Sequence, residues 1–205
     1  MNMYHRFIKL PFEVPKPEMF NKPANSFISY LGYSAVPKEM PEWLESLGCT
    51  LSNIVEGFYS GPTTSKIRVP IHTDQTTPPG EFDAIKINKT WGPQDSVTRW
   101  YKIKDESKLI EINHDKNDVN AGFAQAGIVP DIDCYRCWSA APNNVDLVFE
   151  KQITDTSILN IGQLHDTYNP DKTEMRWTIS FAPLLNGRPV RFDEALEIFK
   201  DYIYE

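Results

Sequence analysis

Cysteine, histidine and positive charge are all scarce in this 205-residue chain, and each scarcity removes a class of explanation. Three cysteines leave one unpaired, which argues against a disulfide-stapled fold. Cys134 and Cys137 form a C-x-x-C in "DIDCYRCWSAA", but no second pair follows to complete a zinc site. No strand-to-helix redox motif surrounds it either, so both read as ordinary thiols. Lys and Arg number 21 against 28 Asp and Glu, and the net charge of −7 excludes a broad surface for tracking phosphates. Uninterrupted apolar runs of bilayer length are missing. The opening "MNMYHRFIKLPFEVPKPEMF" lacks the apolar stretch of a signal peptide, so a cytoplasmic protein is expected, without membrane partners. Long helices are excluded too, because sixteen prolines are spread along the chain.

What remains reads as short strands in a single domain. "NIVEGFYS", "KIRVPIHTD", "DAIKINKTW", "SVTRWYKI", "VDLVFEKQI", "SILNIGQLH" and "MRWTISFAPL" are each rich in β-branched or aromatic residues. Turn-forming "GPTTS", "QTTPPGEF", "GPQD" and "NPDKTE" separate them. Two helices are expected. "PEWLESLG" places Pro41 in a first turn and Gly48 at a C-terminal cap. "RFDEALEIFKDYIY", within residues 190–204, puts Phe192, Ala195, Leu196, Phe199, Tyr202 and Ile203 on one packing face. Seven strands with a helix at each end imply a mainly β fold, a β-sandwich or jelly roll with flanking helices. Residues 104–144 lack periodicity, as a covering loop would.

Four histidines make the search for chemistry short. In an extended segment residues i and i+2 project to one face, so His72 and Asp74 of "VPIHTDQ" aim two ligand atoms at a common point. A catalytic metal needs a third ligand, expected from a strand across the sandwich. His165 ends the apolar "SILNIGQLH" and fits that place. His5 lies in a segment without strand pattern, and His114 in the polar "INHDKND". Arg176 opens "RWTISF" and shares a face with Thr178 and Ser180. A hairpin through "NPDKTE" would return Arg176 to the interior beside His165, where its fork suits a carboxylate. Trp91, Trp100, Tyr135 and Trp138 could line an aromatic entrance, although packing is the simpler role for each. "QTTPPGEF" would form part of the rim.

"HTD", then "LH", then "RWT" resembles the H-x-D…H…R-x-S/T pattern of the iron(II)- and 2-oxoglutarate-dependent oxygenases, over about residues 55–185. "AIKINKTWGPQDSVTRWY" also resembles the strand pair after H-x-D in small oxygenase-like proteins of bacteria and tailed phages; a phage protein would act in the host cytoplasm. The resemblance implies a double-stranded β-helix, the jelly roll of cupins, with residues 1–54 as an N-terminal support. It implies that His72, Asp74 and His165 bind iron(II), and that Arg176, helped by Thr178, binds the distal carboxylate of 2-oxoglutarate. Lys86, Asn88 and Tyr101 are unranked candidates for its other carboxylate. The implied activity is hydroxylation of a small molecule or peptide side chain, coupled to decarboxylation of 2-oxoglutarate to succinate and stimulated by ascorbate. Two imidazoles and one carboxylate leave three positions open on an octahedral iron, which suits that chemistry. Nucleic-acid demethylases of the superfamily carry a second Arg where this chain has Ala182, and the prolyl-hydroxylase branch uses Lys in place of Arg176. The alternatives are a cupin-type metal-dependent enzyme, which would present a His-x-His absent here, and a non-catalytic jelly roll serving in binding or assembly.

Overall fold

Alternation decides the larger of two layers. The computed structural model describes residues 3–75, 77–113 and 136–204. Its strands are β1 His5–Phe7, β2 Ile28–Leu31, β3 Thr50–Ser60, β4 Ile85–Trp91, β5 Val97–Ile103, β6 Ile110–Asn113, β7 Arg136–Ser139, β8 Val145–Gln152, β9 Ser157–Asn160, β10 Leu164–Tyr168, β11 Arg176–Leu185 and β12 Arg188–Pro189. The α-helices are α1 Glu39–Ser46 and α2 Phe192–Ile198. One antiparallel sheet runs β1-β9-β4-β11-β3-β2, with β12 beside β11. At its centre Thr178 stands between Thr90 and Phe58, and Ser180 between Asn88 and Glu56. Trp177, Ile179 and Phe181 point the opposite way, with Ile85 and Ile87 of β4.

The two faces of this sheet have different fates. The apolar face meets Met40, Trp43 and Leu44 of α1, together with Phe192, Ala195 and Phe199 around α2. Phe20 stacks on Trp177 with ring centroids 4.1 Å apart. Burying each of these large side chains contributes about 1.5–3 kcal/mol, so the main core lies outside the sheet, beneath the helices. The polar face looks across at a second layer, β10-β5-β8. Phe7, Trp100, Leu159 and Ile161 fill one end of the interlayer space. Arg176, Thr178, Asn88 and Lys86 are buried at the other. This is a jelly roll with helices packed outside. Among the described residues no helix is long and apolar enough to cross a membrane.

Both helices form where the sequence places them, but the second is shorter than its apolar periodicity suggests. α1 ends at Leu47, and Gly48 takes the left-handed backbone (φ 77°) that closes such an end. α2 stops at Ile198 because the following chain turns to pair with the N-terminal segment, where Ile203 bridges Ile8 and Lys9 donates to the Tyr202 carbonyl. Leu196, Tyr202 and Ile203 still pack on the same core.

Three local expectations need correction. Residues 66–74 are no regular strand; Pro70 brings no N–H, and His72 alone makes bridges, one to His165 and one to Ser139. "SILNIGQLH" is two strands in different layers. The chain crosses between them at Gly162, where a Cβ would lie 2.1 Å from the Phe82 carbonyl oxygen, so only glycine passes. For that reason β10 and β11 form no hairpin; they sit in opposite layers. Of the covering loop expected over residues 104–144, residues 114–135, including His114, Cys134 and Tyr135, lie outside the described residues. Its described arms are scaffold. β6 pairs with β7, and β7 binds the 71–73 segment through Thr73 N to Trp138 O at 2.8 Å and Ala140 N to Ile71 O at 3.1 Å.

Candidate metal centre

His72 and His165 are neighbours in one layer, not partners across the sandwich. Their backbones exchange two hydrogen bonds, of 2.9 and 2.8 Å, which places both side chains on the same face. Their ring centroids are 4.7 Å apart. Asp74 is anchored by its own N–H on the Ile161 carbonyl at 3.0 Å. One ligand atom from each of the three residues lies within 4.8 Å of the others. The segment is irregular, yet the i, i+2 projection still holds.

Hydrogen bonds set the direction in which these side chains point. His72 Nδ1 lies 2.8 Å from the Pro70 carbonyl, and His165 Nδ1 lies 2.9 Å from the Gln163 carbonyl. A carbonyl only accepts, so each Nδ1 carries a proton, which leaves Nε2 as the atom that a metal would take. His72 Nε2 stands 2.8 Å from Asp74 Oδ1 without hydrogen-bond alignment, and has no other partner among the described residues. Two ligands at neighbouring corners around an ion, each about 2.1 Å from it, stand about 3 Å apart. The donor set therefore fits a divalent ion.

Electrostatics separate the two imidazoles. Burial holds the His165 imidazole down at about 4, aided by the proximity of His72. Burial also lowers His72, but the Asp74 carboxylate outweighs it and raises the imidazole above its ordinary value. Burial works against the charge on Asp74 too, and Lys86 and His72 overcome it, keeping the carboxyl well below its usual range. A cation would therefore compete with a proton at His72 over a higher pH range than at His165. Metal affinity should rise with pH through the His72 range and level off above it. Calorimetry of manganese(II) binding across a pH series checks this; an affinity that does not rise with pH would overturn it.

Arg176 is reached from the other end of the same cavity, lined also by Phe58, Val69, Asn88, Thr98, Thr167 and Thr178. It is only 3% exposed. Its guanidinium donates to Thr167 Oγ1 at 3.1 Å and Thr98 Oγ1 at 3.3 Å, while Nε has no partner among the described residues. No carboxylate among them pairs with it, and burial lowers its pKa to about 10. Thr178 also lines the cavity, and its hydroxyl shares a 3.1 Å hydrogen bond with Thr90.

The candidates left unranked in the sequence now separate. Lys86 is fully engaged, 3.0 Å from Asp74 Oδ2 and ion-paired with Glu56. Tyr101 packs beside Leu164 and Val145 under Arg99, away from the cavity. Asn88 lines the cavity, and its buried Oδ1 has no partner among the described residues. Glu56, Thr98 and Thr167 went unremarked in the sequence, since only the strand register reveals them. His5 proves to be a packing residue on β1, stacked on Phe149 with centroids 5.6 Å apart and held down at about 4 by burial. Trp100 is buried in the core and Trp91 packs edge-on to Phe20, so neither forms an entrance. Cys137 is a buried thiol, which burial pushes up to about 12.

No family model matches the chain, and no curated protein matches it. Among solved structures it is similar to an oxalate oxidase in complex with the substrate analogue glycolate, at 13% identity and a TM-score of 0.30 over 82% of this chain. A second oxalate oxidase is similar at 11% identity and a TM-score of 0.30, over 96% of this chain and 88% of its own. The chain spans 58% of the length of the first of these.

Proposed function

We propose that this protein is an iron(II)- and 2-oxoglutarate-dependent oxygenase acting on a small molecule or a peptide side chain. The observation that carries the reading is Arg176, a buried cation with no carboxylate partner among the described residues, facing the same cavity as His72, Asp74 and His165. Burying an unpaired charge is costly, so a site that keeps one is built for an anion. The charges of Asp74, Glu56, Lys86 and Arg176 cancel, so a divalent ion would leave the cavity two units positive. A dicarboxylate dianion restores neutrality, and the guanidinium fork matches one of its ends bidentately.

In this reading His72, Asp74 and His165 hold the iron, whose bound form supplies activation of dioxygen coupled to decarboxylation of the cosubstrate. The Pro70 and Gln163 carbonyls keep both imidazoles in the tautomer that binds metal. Arg176, supported by Thr98 and Thr167, orients the cosubstrate by its far carboxylate. Asn88 offers a side-chain amide for the near end. The apolar ring of Phe58 and the side chain of Val69 exclude water from the cavity wall.

Adding 2-oxoglutarate anaerobically to the iron(II)-loaded protein should produce a visible metal-to-ligand absorption band and a saturable heat of binding. With oxygen and ascorbate, succinate should then form slowly. A protein that binds iron but gives neither band nor heat would be a cupin-type metalloprotein instead, and one that binds no iron would be a structural jelly roll.

A further inference from the structure

Lys86 is a buried charged group, bonded to a residue of the cavity wall, to which neither metal binding nor cosubstrate binding assigns a part. It projects from β4 into the interlayer space, and its ammonium contacts Asp74 Oδ2 at 3.0 Å and Glu56 Oε2. The Phe58 ring face is the third contact, with Nζ 5.2 Å from its centroid. Glu56 lies on β3, two strands away; β11 runs between them and presents only the small Ser180 opposite Glu56, so the ion pair spans the gap. Desolvation opposes a buried ammonium, but the two carboxylates outweigh it and raise its pKa.

We propose that Lys86, braced by Glu56, is a positioning residue for Asp74 that also sets the charge felt by the metal. It occupies the outer oxygen of Asp74 and leaves Oδ1, the atom beside His72 Nε2, as the one turned to the ion. A fixed positive charge bonded to a ligand carboxylate makes that ligand a poorer donor, and so favours the lower oxidation state of a bound iron. The effect is screened little, because both charges are buried. Glu56 tempers it from the far side. The inference rests on the iron-binding reading above.

The test is an anaerobic, mediator-coupled redox titration of the iron-loaded protein, followed by the electron-paramagnetic signal of the oxidised ion. Lys86→Met should shift the iron(III)/iron(II) midpoint to more negative potential, and Glu56→Gln should shift it to more positive potential. Residues that merely support the fold would not move the midpoint in opposite directions. The double variant Lys86→Met/Glu56→Gln avoids stranding the Glu56 carboxylate, while the iron still pairs with Asp74, and should still lie negative of the wild type. An unchanged midpoint in both Lys86→Met variants, or shifts of the same sign for the two single variants, overturns the proposal. So does a large gain in manganese(II) affinity in Lys86→Met without a shift in midpoint, since the ammonium would then be a competitor standing in the ion's place. Wild-type protein that binds neither iron nor manganese overturns the metal-centre reading itself, a result distinct from all of these.

Discussion

His72→Ala and His165→Ala should each lower affinity for iron(II) or manganese(II) by at least about a hundredfold, whereas His114→Ala should leave it unchanged. Removing a partner that only orients a ligand already costs roughly 10–100-fold, so removing the ligand must cost no less. The two variants need not behave alike in the absence of metal. His165 sits neutral in a dry site, where an alanine leaves a small cavity and little electrostatic debris. His72 lies against Asp74, so its loss leaves that carboxylate to Lys86 alone. His72→Ala should therefore tighten the Asp74–Lys86 pair, while His165→Ala should leave it as it is. Calorimetry on the three variants decides the ligand assignment. Equal losses for all three, or a loss confined to His114→Ala, would remove it.

The triad was legible in the sequence because histidine is scarce and because one local rule, the projection of residues i and i+2 to the same side, survives even where a strand does not. The path to His165 was legible only in outline. Apolar content carries "SILNIGQLH" across the Gly162 crossing without interruption, since a glycine in a strand and a glycine that lets two backbones approach look the same on the page. The expectation of a ligand from across the sandwich thus gave way to His165 in the adjacent strand. Arg176 was readable from alternation, which is a property of one strand. Its partners were not. Thr98 and Thr167 lie in the opposite layer, and which residue faces which is decided by pairing over long separations. The Glu56–Lys86 pair was hidden for the same reason, with a further strand between its members.

Arg176→Met should abolish measurable 2-oxoglutarate binding while making the protein without ligands more stable. A bidentate, charge-assisted contact contributes about 3 kcal/mol, and each 1.4 kcal/mol is tenfold in affinity, so the loss should reach about a hundredfold. The gain in stability follows from the same geometry. In the free protein the guanidinium is desolvated, held by two threonine hydroxyls, with Nε unpartnered among the described residues. Replacing a buried charge by an apolar side chain of similar length often stabilises by about 1–4 kcal/mol. At about 2 kcal/mol the melting temperature should rise roughly 4–8 °C in a chain of this size. Manganese affinity should change little, because Arg176 contacts none of the three ligands. Arg176→Lys should fall between, keeping the charge but losing the planar fork. Melting curves in the presence of manganese, with and without 2-oxoglutarate, read both effects together: 2-oxoglutarate should raise the wild-type midpoint and leave that of Arg176→Met unmoved. A variant that melts lower than the wild type without ligand, yet still gains stability from 2-oxoglutarate, would show that Arg176 is a structural cation and that the dianion binds elsewhere.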